Sequence, residues 1–323
     1  MKLQFVVSDQ TNPYWNIAVE NYLLSLNEPD TITLYLWKNH RTVVIGKNQN
    51  PFAECNVDLL EHDGGYLMRR STGGGAVFHD DGNINFSFVV PRSLYDQTRQ
   101  FSVLQRAVAS YGLVTELSGR NDVLCQGRKF SGNAFSKGRY QNLHHGTILI
   151  QGNVGDMQRY LRPKPAKLQR HGVQSVHSRV VNLSELADVS SQNIVPRLID
   201  AFEQVYGERC VELPFDELSQ REAVQQLFEQ YRSDAWLYGS WRQFHAQQSA
   251  QFDWGGVDLQ LDIDEEHRVI RSFQLATDAL NLAVIDRVRQ LLEGASNEEP
   301  PAIPHDFGEE ERQVVSDIFS LIY

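Results

Sequence analysis

Cysteine is scarce. Cys55, Cys125 and Cys210 are the only three in 323 residues, odd in number and far apart. That count excludes a disulfide framework, the spacing offers no zinc site, and reduced thiols point to a cytoplasmic protein. Long apolar runs are also missing. No stretch approaches the roughly eighteen apolar residues of a membrane span, and the apolar run near Met1 is too short for a signal peptide. No membrane partner is therefore expected. Basic charge is the minority sign, 30 Lys and Arg against 41 Asp and Glu, for a net charge of -11. That balance argues against a nucleic-acid partner.

Where glycines cluster, two familiar phosphate motifs are absent. No Lys-Ser or Lys-Thr follows them at P-loop spacing, and nothing spells G-x-G-x-x-G. What is present is Arg69-Arg70-Ser71-Thr72-Gly73-Gly74-Gly75-Ala76-Val77-Phe78-His79. Glycine lets a backbone turn sharply and approach a bound group. Exposed N–H groups in such a turn suit an anion, and a planar arginine suits phosphate. By itself the run reads more readily as a hairpin turn or bulge between strands.

Charge is unevenly spread. Between Arg120 and Arg179 stand eleven Lys and Arg against only Asp122 and Asp156, a local +9 in a chain of -11. A basic middle in an acidic protein fits an anionic ligand or an acidic protein partner; a solvated basic loop is the plainer alternative.

Periodicity predicts an α+β layout, strands with helices laid over them. Helices are expected over 13–27, 51–60, 101–111, 191–206 and 219–231. Strands are expected over 32–37 and 42–45, as a pair, and over 67–70, 75–78, 84–90, 129–135 and 145–150, with 113–116 extended. Residues 161–181 hold Pro163, Pro165 and four basic residues before His171. They read as a long loop, a length that is usually functional or disordered. Gln247-Gln248-Ser249 reads as a linker, dividing a large domain (1–246) from a small one (247–323). The small domain should pair strands 257–263 and 269–275 and add a helix over 282–292 and a second at its acidic end.

A second cluster runs from Ser118 to Ala134. If Phe130 packs in the core of a strand, alternation turns Lys129 toward a cleft, where its ammonium could neutralise a phosphate. Asp122 could hold Mg²⁺ together with phosphate oxygens. A solvated lysine and a turn-capping acid are the plainer readings. His144 and His145 are adjacent in a strand, so they face opposite ways and do not share a metal.

Several motifs in one order resemble the lipoate–protein ligase A family over nearly the whole chain. They are Asn16-Ile17-Ala18-Val19-Glu20, Arg69 to Asp80, Gly119 to Asp122, Arg128 to Gly132, His144 to Thr147, Ser175-Val176, Ser178 to Val180 and Asn182-Leu183. Trp254 to Val257 and Thr277-Asp278 complete the set. Thr72 stands where the family has serine, and the spacer between Asp122 and Lys129 is short. The resemblance implies a large catalytic domain of the biotin/lipoate ligase type, with mixed sheets and flanking helices, plus a small α+β C-terminal domain. It implies activation of lipoate by ATP to lipoyl-AMP, with Mg²⁺ as activator, and no tightly bound prosthetic group. The lipoyl group would then pass to a lysine of a lipoyl domain, in 2-oxoacid dehydrogenase E2 subunits or the glycine cleavage H protein. Carried over, Arg70, Gly75, Ala76, Val77, Phe78 and Lys129 bind ATP, and Lys129 also contacts lipoate and serves catalysis.

The same resemblance leaves a rival within the superfamily, an octanoyl transferase that needs no ATP and can use a cysteine nucleophile. Cys125 is the only cysteine near the cluster, and it reads more readily as a buried apolar thiol. An apolar tunnel alone would separate lipoate from octanoate weakly. The basic loop 161–181 is expected to close over the adenylate, and the small domain to pack near the site and move.

Overall fold

The computed structural model describes residues 1–119, 121–162 and 180–323. Its strands are β1 (Lys2–Val7), β2 (Thr31–Trp37), β3 (Thr42–Ile45), β4 (Tyr66–Arg69), β5 (Val77–His79), β6 (Asn83–Pro91) and β7 (Thr115–Ser118). They continue with β8 (Asp122–Cys125), β9 (Arg128–Lys137), β10 (Gln141–Leu149), β11 (Cys210–Glu212), β12 (Gln248–Phe252), β13 (Gly255–Asp264) and β14 (Val269–Thr277). Among the described residues, the helices of ten residues or more are α1 (Pro13–Ser25), α2 (Gln97–Ala109), α3 (Ser191–Tyr206), α4 (Glu222–Tyr231), α5 (Leu282–Leu292) and α6 (Glu309–Phe319).

Eight strands form one mixed sheet in the order β11-β1-β2-β6-β10-β9-β8-β7. The β11-β1-β2 end is parallel; from β2 onward every pair is antiparallel. Alternation in β2 and β6 assigns the two faces. Ile32, Leu34, Leu36, Phe86 and Phe88 enter one core with residues of α2 and α3. Tyr35, Trp37 and Val89 enter another with Ile17, Val19 and Leu23 of α1. Each such side chain, fully buried, contributes about 1.5–3 kcal/mol. The start of α1 follows from its sequence: the Asn12 side chain accepts a hydrogen bond from Tyr14 N at 3.0 Å, and Pro13 occupies the first turn, where its missing N–H costs nothing.

A three-stranded sheet, β4-β3-β5, lies apart, and the glycine run joins β4 to β5. The last part of the chain is the antiparallel meander β12-β13-β14. Its core, from Phe252 to Ile322, joins the meander to α5 and α6.

The expected pairing of 32–37 with 42–45 does not occur. Both hydrogen-bonding edges of β2 are taken, by β1 and β6, so β3 pairs instead with β4 and β5. The helix expected over 219–231 is two, Phe215–Ser219 and α4, and that expected over 101–111 begins earlier, where Asp96 caps Arg99 N at 3.1 Å. Strands β1, β8, β11 and β12 were not anticipated. The expected loop 161–181, with the lid role attached to it, lies outside the described residues over 163–179, as does Arg120.

Candidate active site

The site begins as a row of residues directly opposed across the large sheet. Trp37 pairs with Asn85, Asn85 with Thr147, and Asp122 with Gly132. Gly132 N reaches Thr147 Oγ1 at 3.4 Å, which closes the row. Side chains at paired positions share a face, and here that face looks toward α1 and the small sheet.

Between them is a cavity of about 200 Å³. Its apolar walls are Ile17, Trp37, Val44, Met68, Val77 and Ala134. Its polar lining includes Arg70, Lys129, Asn121, His79, Asn85 and His145. An apolar channel with a few convergent polar groups is the usual form of a small-molecule site.

Phe130 is fully buried in the core, and Lys129 turns the other way, as alternation requires. Its Nζ lies 2.7 Å from Asp122 Oδ1, both side chains about one-third exposed. A register shift between Val123 and Leu124 interrupts the pairing of β8 with β9 just where Lys129 lies. The carbonyl of Lys129 accepts from Val181 N at 2.9 Å, which ties the far side of the basic segment to the lysine.

Arg70 reaches the same cavity but is already occupied. Its Nε donates to Thr72 Oγ1 and Gly73 O, both at 3.1 Å. Its Nη2 donates to Gly73 O and Gly75 O at 2.7 and 2.9 Å, and its Nη1 to Val44 O at 3.3 Å. Burial lowers its pKa to about 10, so it stays charged at neutral pH. The guanidinium gathers loop carbonyls inward, as the fixed fork of arginine allows. Gly74 has φ +93°, and a Cβ there would stand 2.9 Å from Arg70 Nη2; only glycine takes that backbone without strain.

Gly75, Ala76 and Val77 line the cavity. The Phe78 side chain does not: it packs against Tyr160, ring centres 5.5 Å apart, so only its main chain is near the site. His144 points into the sheet's other core and His145 into the cavity, the opposed orientation expected. Cys125 is 1% exposed, packs in the core and is absent from the cavity; burial raises its pKa. A thiol so placed does not serve as a nucleophile there.

Trp37 and Ser87, outside the quoted motifs, join Glu20, His145 and Thr72 in holding the site together. Trp37 Nε1 donates to Ser87 Oγ (3.1 Å) and Ser87 Oγ to Glu20 Oε1 (2.6 Å). Glu20 Oε1 lies 2.8 Å from His145 Nδ1, and His145 Nε2 lies 2.8 Å from Thr72 Oγ1. A buried network thus runs from the tunnel wall to the glycine turn. One signal could have found it: Asn83, Asn85 and Ser87 alternate with Ile84, Phe86 and Phe88, an odd polar stripe in a strand buried on both faces.

The small domain sits on the glycine turn. Gly74 N donates to Ala279 O at 3.3 Å, and a Cβ on Gly73 would come 2.0 Å from that oxygen. Thr277 N donates to Asn48 O at 2.9 Å.

The family model described as the lipoyl protein ligase A/B catalytic domain matches residues 12–203, and that of the bacterial lipoate protein ligase C-terminus matches 242–300. The chain belongs to the lipoate–protein ligase A family. A ligase of this name from Psychrobacter cryohalolentis is 38% identical over 300 residues, 90% of this chain and 88% of that protein. P. falciparum LipL1, solved in complex with lipoate, superposes with a TM-score of 0.84 at 25% identity over 98% of this chain and 99% of its own. Two solved ligases align with 74% of the chain, each at 25% identity. A lipoate-protein ligase A bound with ATP has a TM-score of 0.62 and is covered over 99% of its length. The bi-partite ligase of Thermoplasma acidophilum, solved with its E2 lipoyl domain, has a TM-score of 0.63 and is covered over 97%. The second match begins just before the β12-β13-β14 meander.

Proposed function

We propose that this cavity is where the family's reaction runs, with Lys129 as its catalytic cation. The reaction is the ATP-dependent activation of lipoate to lipoyl-AMP, followed by transfer of the lipoyl group to a lysine of a lipoyl domain. One observation carries the assignment of the site: the Lys129 ammonium and the glycine turn line one cavity whose other walls are largely apolar.

The chemistry needs that arrangement. A carboxylate oxygen attacks the α-phosphorus of ATP, the bond to pyrophosphate breaks, and pyrophosphate leaves. Nucleophile and target are both anions. Lys129 lies where it lessens their repulsion and stabilises charge on the transferring group. In the second step a lysine amine attacks the acyl carbon, the bond to AMP breaks, and the amine loses a proton. No covalent enzyme intermediate is required.

Arg70 shapes the glycine turn rather than offering a free charge, so Gly75, Ala76, Val77 and the main chain of Phe78 present the nucleotide surface. Asp122 would hold a Mg²⁺ ion brought with ATP. Asp122, with one partly exposed carboxylate, fits a cation that takes one or two carboxylates and completes its shell with phosphate oxygens and water. It would lower the negative charge on the phosphates.

Division of the chain into a catalytic part (1–246) and an accessory part (247–323) is supported by their separate cores. Acceptor lysines in 2-oxoacid dehydrogenase E2 subunits and in the glycine cleavage H protein are the partners we infer. A cytoplasmic location rests on the three free cysteines. Among the described residues, no helix is long and apolar enough to cross a membrane.

Lipoate-dependent ATP–pyrophosphate exchange tests the reading. Lys129→Ala should lose at least a hundredfold, the scale of one lost oxyanion donor, while keeping its thermal midpoint. Exchange near the unmodified rate would remove Lys129 from its role.

A further inference from the structure

The channel is not apolar to its end. His79 is 4% exposed and Asn85 1%, and both line the cavity. Among the described residues, His79 Nε2 and the Asn85 side-chain nitrogen are buried with no hydrogen-bond partner. A buried polar group left unpaired costs about 1–3 kcal/mol, so two of them facing one cavity need a reason.

Hydrogen bonding settles which proton His79 carries. Asn16 Nδ2 donates to Lys38 O at 2.7 Å, which orients its amide. The same nitrogen donates to Asn39 Oδ1 at 3.0 Å. Asn39 therefore turns its Nδ2 toward His79 Nδ1, 3.3 Å away. His79 Nδ1 accepts, so the proton sits on Nε2 and faces the cavity. Burial, then the nearby Arg70 and His145, push the His79 pKa down to about 3, which keeps the ring neutral.

Strand geometry places these groups at the far end. Lys129 Nζ lies over Gly132. From Gly132 the row steps to Thr147 and then to Asn85. Two interstrand steps are about 10 Å, the span of an extended acyl chain of eight carbons. Trp37, paired with Asn85, carries the His79 ring at 6.1 Å between centres.

We propose that His79 and Asn85 form a polar floor that selects an acyl chain ending in a cyclic disulfide over a saturated chain of equal length. The proposal rests on the reading of this cavity as the lipoyl site. A dithiolane brings two polarisable sulfurs, weak acceptors, to the two side chains. A methyl-terminated chain brings none and leaves both groups buried and unpaired. Selection of this kind comes from the penalty on the wrong ligand. Because sulfur accepts weakly, the preference is on the order of tenfold.

The test compares lipoate with octanoate in ATP–pyrophosphate exchange, reading the ratio of kcat/KM for the two acids. Asn85→Leu and His79→Phe are the variants, each checked by thermal unfolding. The unmodified protein should favour lipoate, and the ratio should fall about tenfold in each variant. As a second measurement, calorimetric binding of the two acids should show the same change in ratio. Equal loss for both acids, or an unchanged ratio, would overturn the proposal. Absence of exchange with either acid in the unmodified protein would remove the site reading and the proposal together.

Discussion

Gly132 lies beneath the ammonium of Lys129: a Cβ built on it would stand 2.9 Å from Nζ and 3.0 Å from Cε. The strand leaves this position bare, and the lysine chain folds back over it toward Asp122. Gly132→Ala should therefore push the ammonium aside without unfolding the sheet, because the obstacle is the end of a flexible side chain. A misplacement of about 1 Å costs roughly a hundredfold in rate. Exchange kinetics beside a melting curve would check this; a variant with full activity would show that the lysine's resting place is irrelevant.

Arg70 and Lys129 should fail in different ways. Arg70 makes four hydrogen bonds inside the loop and a fifth to Val44 O on β3, and a lysine cannot reproduce that fork. Arg70→Lys should lower unfolding free energy by about 3 kcal/mol, in line with breaking a buried charged network. Lys129→Ala should lower it by less than about 1 kcal/mol, since its ion pair is partly solvated. Urea titrations of both variants give the comparison.

The buried His79 predicts a pH effect on stability. Its folded pKa is about 3 against an ordinary 6.5. Between those values the unfolded chain binds a proton that the native state refuses. Stability is therefore complete above about pH 6.5 and falls as the pH drops toward 3. A single such group contributes a slope of up to about 1.4 kcal/mol per pH unit. His79→Gln should flatten the curve between pH 6.5 and 5 by one proton, as read from denaturant midpoints. An unchanged slope would mean that the ring is not buried neutral.

The accessory part should leave its seat when Gly73 acquires a side chain. The clash is with backbone, Ala279 O at 2.0 Å, so it is not relieved by rotating a rotamer. Gly73→Ala should enlarge the radius of gyration in small-angle scattering. Addition of a lipoyl-AMP analogue to the unmodified protein should also change the scattering, because the adenylate would occupy the turn that Ala279 now contacts. Identical curves in both experiments would contradict this.

Much of the architecture could be read from residue order. Pro13 after Asn12 announces the first helix, and Val257, Leu259, Leu261 and Ile263 announce a half-buried strand. Phe130 against Lys129, and His144 against His145, follow from a period of two. The pairing of 32–37 with 42–45 failed because it assumed that neighbours in sequence are neighbours in the sheet. Competition for the edges of β2 is a long-range matter.

Residue order alone determined the local periods, the glycine turn and the charged cluster, because these depend on neighbours a few positions away. Only the tertiary structure decided that Arg70 is spent mainly on its own loop, that Ala279 O takes the Gly74 N–H, and that His79 and Asn85 line one cavity. Whether a polar group is satisfied depends on every partner within reach, and those partners come from strands that only folding brings together.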